Sequence, residues 1–343
     1  MKVRRKTPDV PLVQKRGTAG RSSFLSLLLC LLLFAPSSHA ADASIVNYRP
    51  VFHAFLESDT TVRIAWRAFE EKREAHLLVV DPVRFEVAKV KRRAVEGKPL
   101  ADMRRWVRTP FAAALKAYAG PPYPLQNAGI RRAERPAAGY FLTVDLCPSK
   151  RPLDRALFRK LAALQDGSGI PASVGVAVTG VWIRRHGEDF RWLVDLAHSP
   201  SGGLRIVWIN HSFSHPYDPR APLEKNFLLR PGVDFSFEVL ETEKLLLQHN
   251  LLPSPFFRFP GLASDRRLLE GLSGMALVPV GSGAWLAKGE SPRPGDIILI
   301  HGNGNEPRGV SEFYRLLETA SNHRVASEIF PPLPSAFAGA EVP

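Results

Sequence analysis

The chain has 343 residues, a formal net charge of +13 and 45% apolar residues, enough for a sizeable core in one large domain with an extension, or in two domains. The charge is unevenly spread: seven basic residues against one acidic over 1–40, 18 against 11 over 41–138, and 21 against 21 over 139–343. A neutral region from 139 onward, without a basic stripe carrying interleaved aromatics, argues against nucleic acid as a partner, and two cysteines give no disulfide framework.

The first element in chain order reads as targeting, not fold. Lys2, Arg4, Arg5, Lys6, Lys15, Arg16 and Arg21 make a basic start, Phe24 to Ala35 an apolar run, and Ser38-His39-Ala40 supplies small residues at the −3 and −1 positions. The run is shorter than the roughly 20 residues of a membrane-spanning helix. Residues 1–40 are therefore expected to be a signal peptide cleaved near Ala40, with the mature protein periplasmic or secreted. Cys30 leaves with it, and Cys147 is expected to be a buried, inert thiol.

Residues 41–138 read as a separate α+β extension. Thr61–Trp66 and His76–Val80 have strand texture, Pro99 to Tyr118 has helical texture, and Gly120–Pro124 reads as a linker. The basic 89–108 segment (Lys89, Lys91, Arg92, Arg93, Lys98, Arg104, Arg105, Arg108) is read as mainly solvated, or as a peripheral contact with an anionic envelope. From Gly139 strands alternate with helices. Strands are predicted at 140–144, 172–178, 205–210, 256–259, 277–280, 284–286 and 297–300. Helices are predicted at 152–164, 182–196, 234–250, from Ser264 as cap through 272, and at 310–320. This alternation predicts a parallel sheet, open or closed as a barrel. Residues 331–343, rich in Pro and Ala, are expected to be a disordered tail.

In parallel α/β folds reacting groups collect at the carboxyl ends of strands. Asp145 lies at the end of the first such strand. Asn210, His211 and, four residues on, His215 follow the third. Arg258, Pro260 and Gly261 follow Phe256-Phe257, Trp285 and Lys288 lie on or beyond the 284–286 strand, and His301, Asn303, Asn305 and Glu306 follow the last. Two imidazoles four apart share a face if the chain turns helically there. Neutral imidazole suits a borderline divalent metal, which polarises a carbonyl and acidifies bound water to a pKa near ~7. A carboxylate can take that water's proton, and a separate histidine can protonate a leaving amine or alkoxide. The set describes hydrolysis of an amide or ester without a covalent intermediate.

At these residues the chain resembles the polysaccharide deacetylases, carbohydrate esterase family 4, over about residues 139–320. Thr143-Val144-Asp145-Leu146-Cys147-Pro148 stands where that family has Thr-Phe-Asp-Asp-Gly-Pro. His211-Ser212-Phe213-Ser214-His215 fits its His-(Ser/Thr)-x-x-His metal motif. Arg258-Phe259-Pro260-Gly261 resembles its Arg-x-Pro motif, Ser282-Gly283-Ala284-Trp285 falls where an Asp-x-x-Asp-Trp-like motif is expected, and Leu299-Ile300-His301 resembles its Leu-x-His motif.

The resemblance implies a distorted (β/α) barrel of about seven parallel strands over 139–330. It also implies a divalent metal, zinc or similar, and removal of N- or O-acetyl groups from an acetylated polysaccharide or cell-envelope glycan. His211 and His215 would be metal ligands, Asp145 the base, His301 the acid and Arg258 the residue orienting the base. Trp285, Pro260 and Asn210 would contact substrate.

Two departures mark a divergent subgroup. Leu146 stands at the family's third-ligand position, so either Asp145, Asn210 or water fills the place, or metal binds weakly. The fourth motif lacks its acidic residues, leaving Lys288, Asn303 or Glu306 to tune His301. The losses also suit an alternative: a non-catalytic or weakly catalytic glycan-binding envelope protein, with Trp182, Trp192, Trp208 and Trp285 as stacking platforms. A third reading is a metal-dependent amidase acting on a non-sugar substrate.

Overall fold

A computed structural model of the chain describes residues 44–58, 61–95, 102–164, 170–199, 203–320 and 329–341. The expected signal peptide lies outside them.

The chain begins with an antiparallel sheet, β1 (Ile45–Leu56), β2 (Val62–Glu71), β3 (Glu74–Val80) and β4 (Val87–Lys91), paired in sequence order. Lys72 and Arg73 join β2 to β3 with φ of 51° and 66°, the left-handed pair that a two-residue hairpin needs. Two short helices follow, α1 (Arg104–Val107) and α2 (Pro110–Tyr118). The single helix expected over 99–118 is divided because Thr109 is extended and caps α2 by accepting from Ala112 N, with Pro110 at the first helical position. In the 89–108 segment, Lys89 pairs with Glu71, Lys91 with Glu74 and Arg104 with Asp102.

The second sheet holds seven parallel strands: β5 (Phe141–Leu146), β6 (Ser173–Val178), β7 (Arg205–Asn210), β8 (Phe256–Phe257), β9 (Val278–Pro279), β10 (Ala284–Trp285) and β11 (Ile297–His301). Their spatial order is β10-β11-β5-β6-β7-β8-β9. Every residue of β5, β6 and β11 is buried, as a sheet covered on both faces requires. The connections carry α3 (Arg155–Ala162), the adjoining α4 (Gly180–Arg185) and α5 (Gly187–Ala197), α6 (Phe235–Gln248) and α7 (Arg266–Gly274); α8 (Pro307–Ala320) follows β11. Asp154, Thr179, Asp234 and Asp265 each cap the following helix by accepting a backbone N–H. The α7 cap is thus Asp265; Ser264, expected in that role, donates its hydroxyl to Pro124 O instead.

The sheet is a curled (β/α) half-barrel, with the antiparallel sheet as the α+β extension. Residues 126–132, beyond the expected linker, span its open side. Ile130 N donates to Pro279 O beside β9, and Ile297 N of β11 donates to Arg131 O. The described residues form one compact unit. The tail expected to be disordered is packed: Leu333, Ala336 and Phe337 are buried, and the Phe337 ring lies 4.7 Å from Phe85 and 5.7 Å from Phe256. Its proline- and alanine-rich composition concealed one aromatic anchor.

Alternation along β5 sorts its side chains. Leu142, Val144 and Leu146 join the apolar layer containing Leu157, Phe158 and Phe190 from the covering helices. Phe141 belongs to the other core, and Asp145, one residue before Leu146, opens onto the mouth.

Candidate active site

The carboxyl ends of β11, β5, β7 and β8 set the geometry. Asp145, next to last in β5, stands directly opposite His301 on β11, and Asn210 ends β7 opposite Phe257, one residue before Arg258. These ends surround a cavity of about 880 Å³ lined by Asp145, Cys147, His211, His215, Trp285, Leu299, His301 and Glu306, among others.

The His211 and His215 rings pack edge to face with centroids 4.9 Å apart. They do not converge through a helical turn, as the spacing suggested. Ser212 and His215 have φ of 68° and 47°, so an irregular turn folds the second ring back beside the first. The turn is held from two sides. Asn210 Oδ1 accepts from Ser212 N, and Glu238 of α6 accepts from Phe213 N at 2.9 Å, from Ser214 N at 2.8 Å and from the Ser214 hydroxyl. Gly261, at φ 60°, lets Phe227 close against the site, since a Cβ there would meet that ring at 2.3 Å; Phe227 in turn packs 5.6 Å from the His215 ring.

The tautomer of His211 follows from its partner. Nδ1 lies 2.8 Å from the Arg258 carbonyl oxygen, which can only accept, so Nδ1 carries the proton and donates it there. Nε2 is left with a lone pair directed into the site. Burial, the largest influence on it, pushes the His211 pKa down and favours this neutral form, against an opposing pull from Asp145.

Cys147 Sγ lies 3.4 Å from that Nε2, and Cys147, His211 and His215 offer donor atoms all within 4.8 Å of one another. The inert thiol expected at 147 is thus a buried thiol at the site itself. No sequence spacing announces it: the two imidazoles come from after β7, and only the pairing of β5, β6 and β7 brings the sulfur to them. Two imidazoles and a sulfur are a donor set suited to a borderline divalent metal.

Asp145 Oδ1 accepts from Arg258 Nη1 at 3.2 Å, and Oδ2 is 3.7 Å from His211 Nε2. Arg258 is fully buried and also donates from Nη2 to Gly281 O at 2.9 Å, which fixes the guanidinium and through it the carboxylate. His301 Nδ1 lies 2.8 Å from Glu306 Oε2, and the same oxygen accepts from Trp285 Nε1 at 2.7 Å. Burial alone would lower the His301 pKa. The Cys147 sulfur, Glu306 and Asp145 outweigh it and hold the imidazole well above its usual range. Burial would likewise raise the Cys147 thiol, and His215 and His301 bring it down to about 7. Of the substitutes considered for the missing acid, Glu306 is the one that contacts His301. Lys288 Nζ instead covers the Trp285 ring at 3.6 Å, and Asn303 Nδ2 donates to Cys147 O at 2.6 Å.

Some expected contacts do not occur at the cavity. Asn210 is buried and spends both ends of its amide internally, on Ser212 N and on Val239 O, so it braces the turn and presents nothing to a substrate. Pro260 is buried and does not line the cavity, which is bordered there by Gly261 and Leu262. Of the tryptophans offered as stacking platforms, Trp182 and Trp208 are core residues, and Trp192 lies under Arg155 and Arg159. Trp285 does line the cavity.

No family model matches the chain. Among solved structures it is similar to a family 4 carbohydrate esterase from Bacillus anthracis, at 16% identity over 65% of this chain and 89% of that one, with a TM-score of 0.43. It is similar to a family 4 carbohydrate esterase from Streptomyces lividans in complex with acetate, at 17% identity over 61% of this chain and 100% of that one, TM-score 0.41. A CE4 family pseudoenzyme from Bacillus anthracis matches at 15% identity over 57% of this chain and 66% of that one, TM-score 0.39.

Proposed function

We propose that the protein is an exported, metal-dependent hydrolase that removes acetyl groups, N- or O-linked, from a polysaccharide of the cell envelope, as a divergent polysaccharide deacetylase. The observation that carries this reading is the meeting of His211, His215, Asp145 and His301 at one cavity from the carboxyl ends of β7, β5 and β11. Zinc or a similar divalent ion held by the two imidazoles would supply Lewis acidity toward the acetyl carbonyl and an acidified water.

The side chains divide the rest of the work. Asp145 takes the proton of the attacking water. Arg258, donating to Oδ1, holds that carboxylate in place. His301, its imidazole held above the usual range and its Nδ1 set 2.8 Å from Glu306 Oε2, delivers a proton from Nε2 to the departing sugar amine or alkoxide. Trp285 and Leu299 give the cavity an apolar wall for the acetyl methyl.

The basic start, the apolar run and Ser38-His39-Ala40 support export with cleavage near Ala40. No helix among the described residues is long and apolar enough to cross a membrane. A non-catalytic glycan-binding role draws its support from Leu146, whose side chain is committed to the helix-facing core and supplies no ligand.

Acetate release from acetylated chito-oligosaccharides and from acetylated peptidoglycan tests the proposal. Turnover that disappears on chelation and returns with Zn²⁺ is the expected result. Glycan binding without acetate release at any metal loading would leave the binding role in its place.

A further inference from the structure

We propose that Cys147 is the third protein ligand of the metal site, a thiolate in the role that a carboxylate fills in the resembling family, and that the site is therefore selective for thiophilic ions such as Zn²⁺ or Co²⁺ over Mg²⁺ or Mn²⁺. This rests on the metal dependence proposed above and goes beyond it in naming the third ligand and what that ligand does to metal selectivity.

The geometry argues first. In a tetrahedral zinc site with Zn–S near 2.3 Å and Zn–N near 2.0–2.1 Å, neighbouring sulfur and nitrogen donors stand about 3.5 Å apart. Sγ of Cys147 and Nε2 of His211 are 3.4 Å apart, and His215 offers a nitrogen within 4.8 Å of both. The His211 lone pair is directed there by the donation of Nδ1 to the Arg258 carbonyl, a partner that orients metal-bound imidazoles. Cys147 is fixed from behind by Asn303, itself fully buried, which donates to its carbonyl oxygen.

Ligand economy argues second. Leu146 packs into the helix-facing layer, so the chain supplies no second carboxylate at this strand end. If Asp145 were the third ligand, through the Oδ2 that lies 3.7 Å from His211 Nε2, it would give up its freedom to take a proton. With sulfur as the donor, Asp145 keeps its bond to Arg258 and remains a base. Softness argues third: thiolate donors favour zinc and its neighbours and disfavour hard oxygen-seeking ions.

The competing explanation of the short sulfur–nitrogen distance is a plain S–H···N hydrogen bond with no metal ligation. Cobalt spectroscopy separates the two. Mature protein is stripped with chelator, kept reduced, and titrated with Co²⁺. The expected result is a thiolate-to-cobalt charge-transfer band in the near ultraviolet that saturates at one equivalent. Cys147→Ser is expected to lose the band and to weaken cobalt binding by more than the roughly 10- to 100-fold that loss of an outer-shell partner costs. Cys147→Asp is expected to bind cobalt without the band and to shift preference toward Mn²⁺ in competition with Zn²⁺. A wild-type protein that binds cobalt without the band, or a Cys147→Ser protein that keeps it, overturns the proposal. So does a wild-type protein that binds no cobalt. The band in a protein that releases no acetate supports this ligation and removes only the deacetylase reading.

Discussion

Glu306 comes from the loop after β11, five residues beyond the imidazole it contacts, and one of its oxygens serves both His301 Nδ1 and Trp285 Nε1. A carboxylate so placed fixes which way the His301 ring faces and keeps a proton on it, as the carboxylate partners of working histidines commonly do. His301→Ala is expected to lower kcat about 100- to 10,000-fold, the usual worth of a positioned general acid, while metal content stays at the wild-type level. Glu306→Gln should lower kcat by roughly 10-fold with KM nearly unchanged, a positioning effect, and Glu306→Asp should recover part of the loss. Steady-state kinetics on an acetylated oligosaccharide checks both. Wild-type kcat in His301→Ala would remove the acid from the mechanism, and an equal rise of KM in both Glu306 variants would make that residue a substrate contact.

Among elements, α6 links parts of the molecule far apart in sequence. Its Glu238 holds the turn carrying the two histidines, Val239 O accepts from Asn210, and Glu243 receives Arg67 of β2 through two bonds of 2.6 Å and 2.9 Å. Tyr48 of β1 donates to the same carboxylate at 2.8 Å, and Arg67 also donates to Met275 O. The pair is fully buried, so removing one member strands the other charge. Arg67→Met is expected to destabilise the fold by about 3–5 kcal/mol, and Arg67→Met with Glu243→Leu by much less. Denaturant unfolding of the two variants measures the difference; equal losses would mean that packing, and not the stranded carboxylate, sets the cost. The extension therefore serves at least as a brace for the helix that shapes the turn carrying His211 and His215.

Over the whole molecule, what could be read in advance was what local pattern encodes. Continuous apolar runs such as Ile297–Ile300 marked β11, and the alternation of strands and helices marked the parallel barrel. His211 and His215 stood out because their spacing is itself a motif, and Asp145, Arg258 and His301 because each ends or follows an apolar run. What escaped depends on contacts distant in sequence. Cys147 has no partner along the chain and acquires its neighbours only when β5, β6 and β7 align. Asn210 looked like a substrate contact because polar residues at strand ends often are, yet the positive φ at Ser212 creates backbone groups that its amide must satisfy. Phe337 lay in a stretch whose composition reads as unstructured, and stacking on Phe85 and Phe256 decides its fate.

The central claim is that one divalent ion is held between side chains that follow β5 and β7. Elemental analysis of mature protein purified without added chelator tests it most directly, run beside His211→Ala and normalised to folded protein by circular dichroism. About one zinc-like ion per wild-type chain and almost none in the folded variant is the expected result. A folded wild-type protein without metal, or a variant retaining as much as wild type, would contradict it.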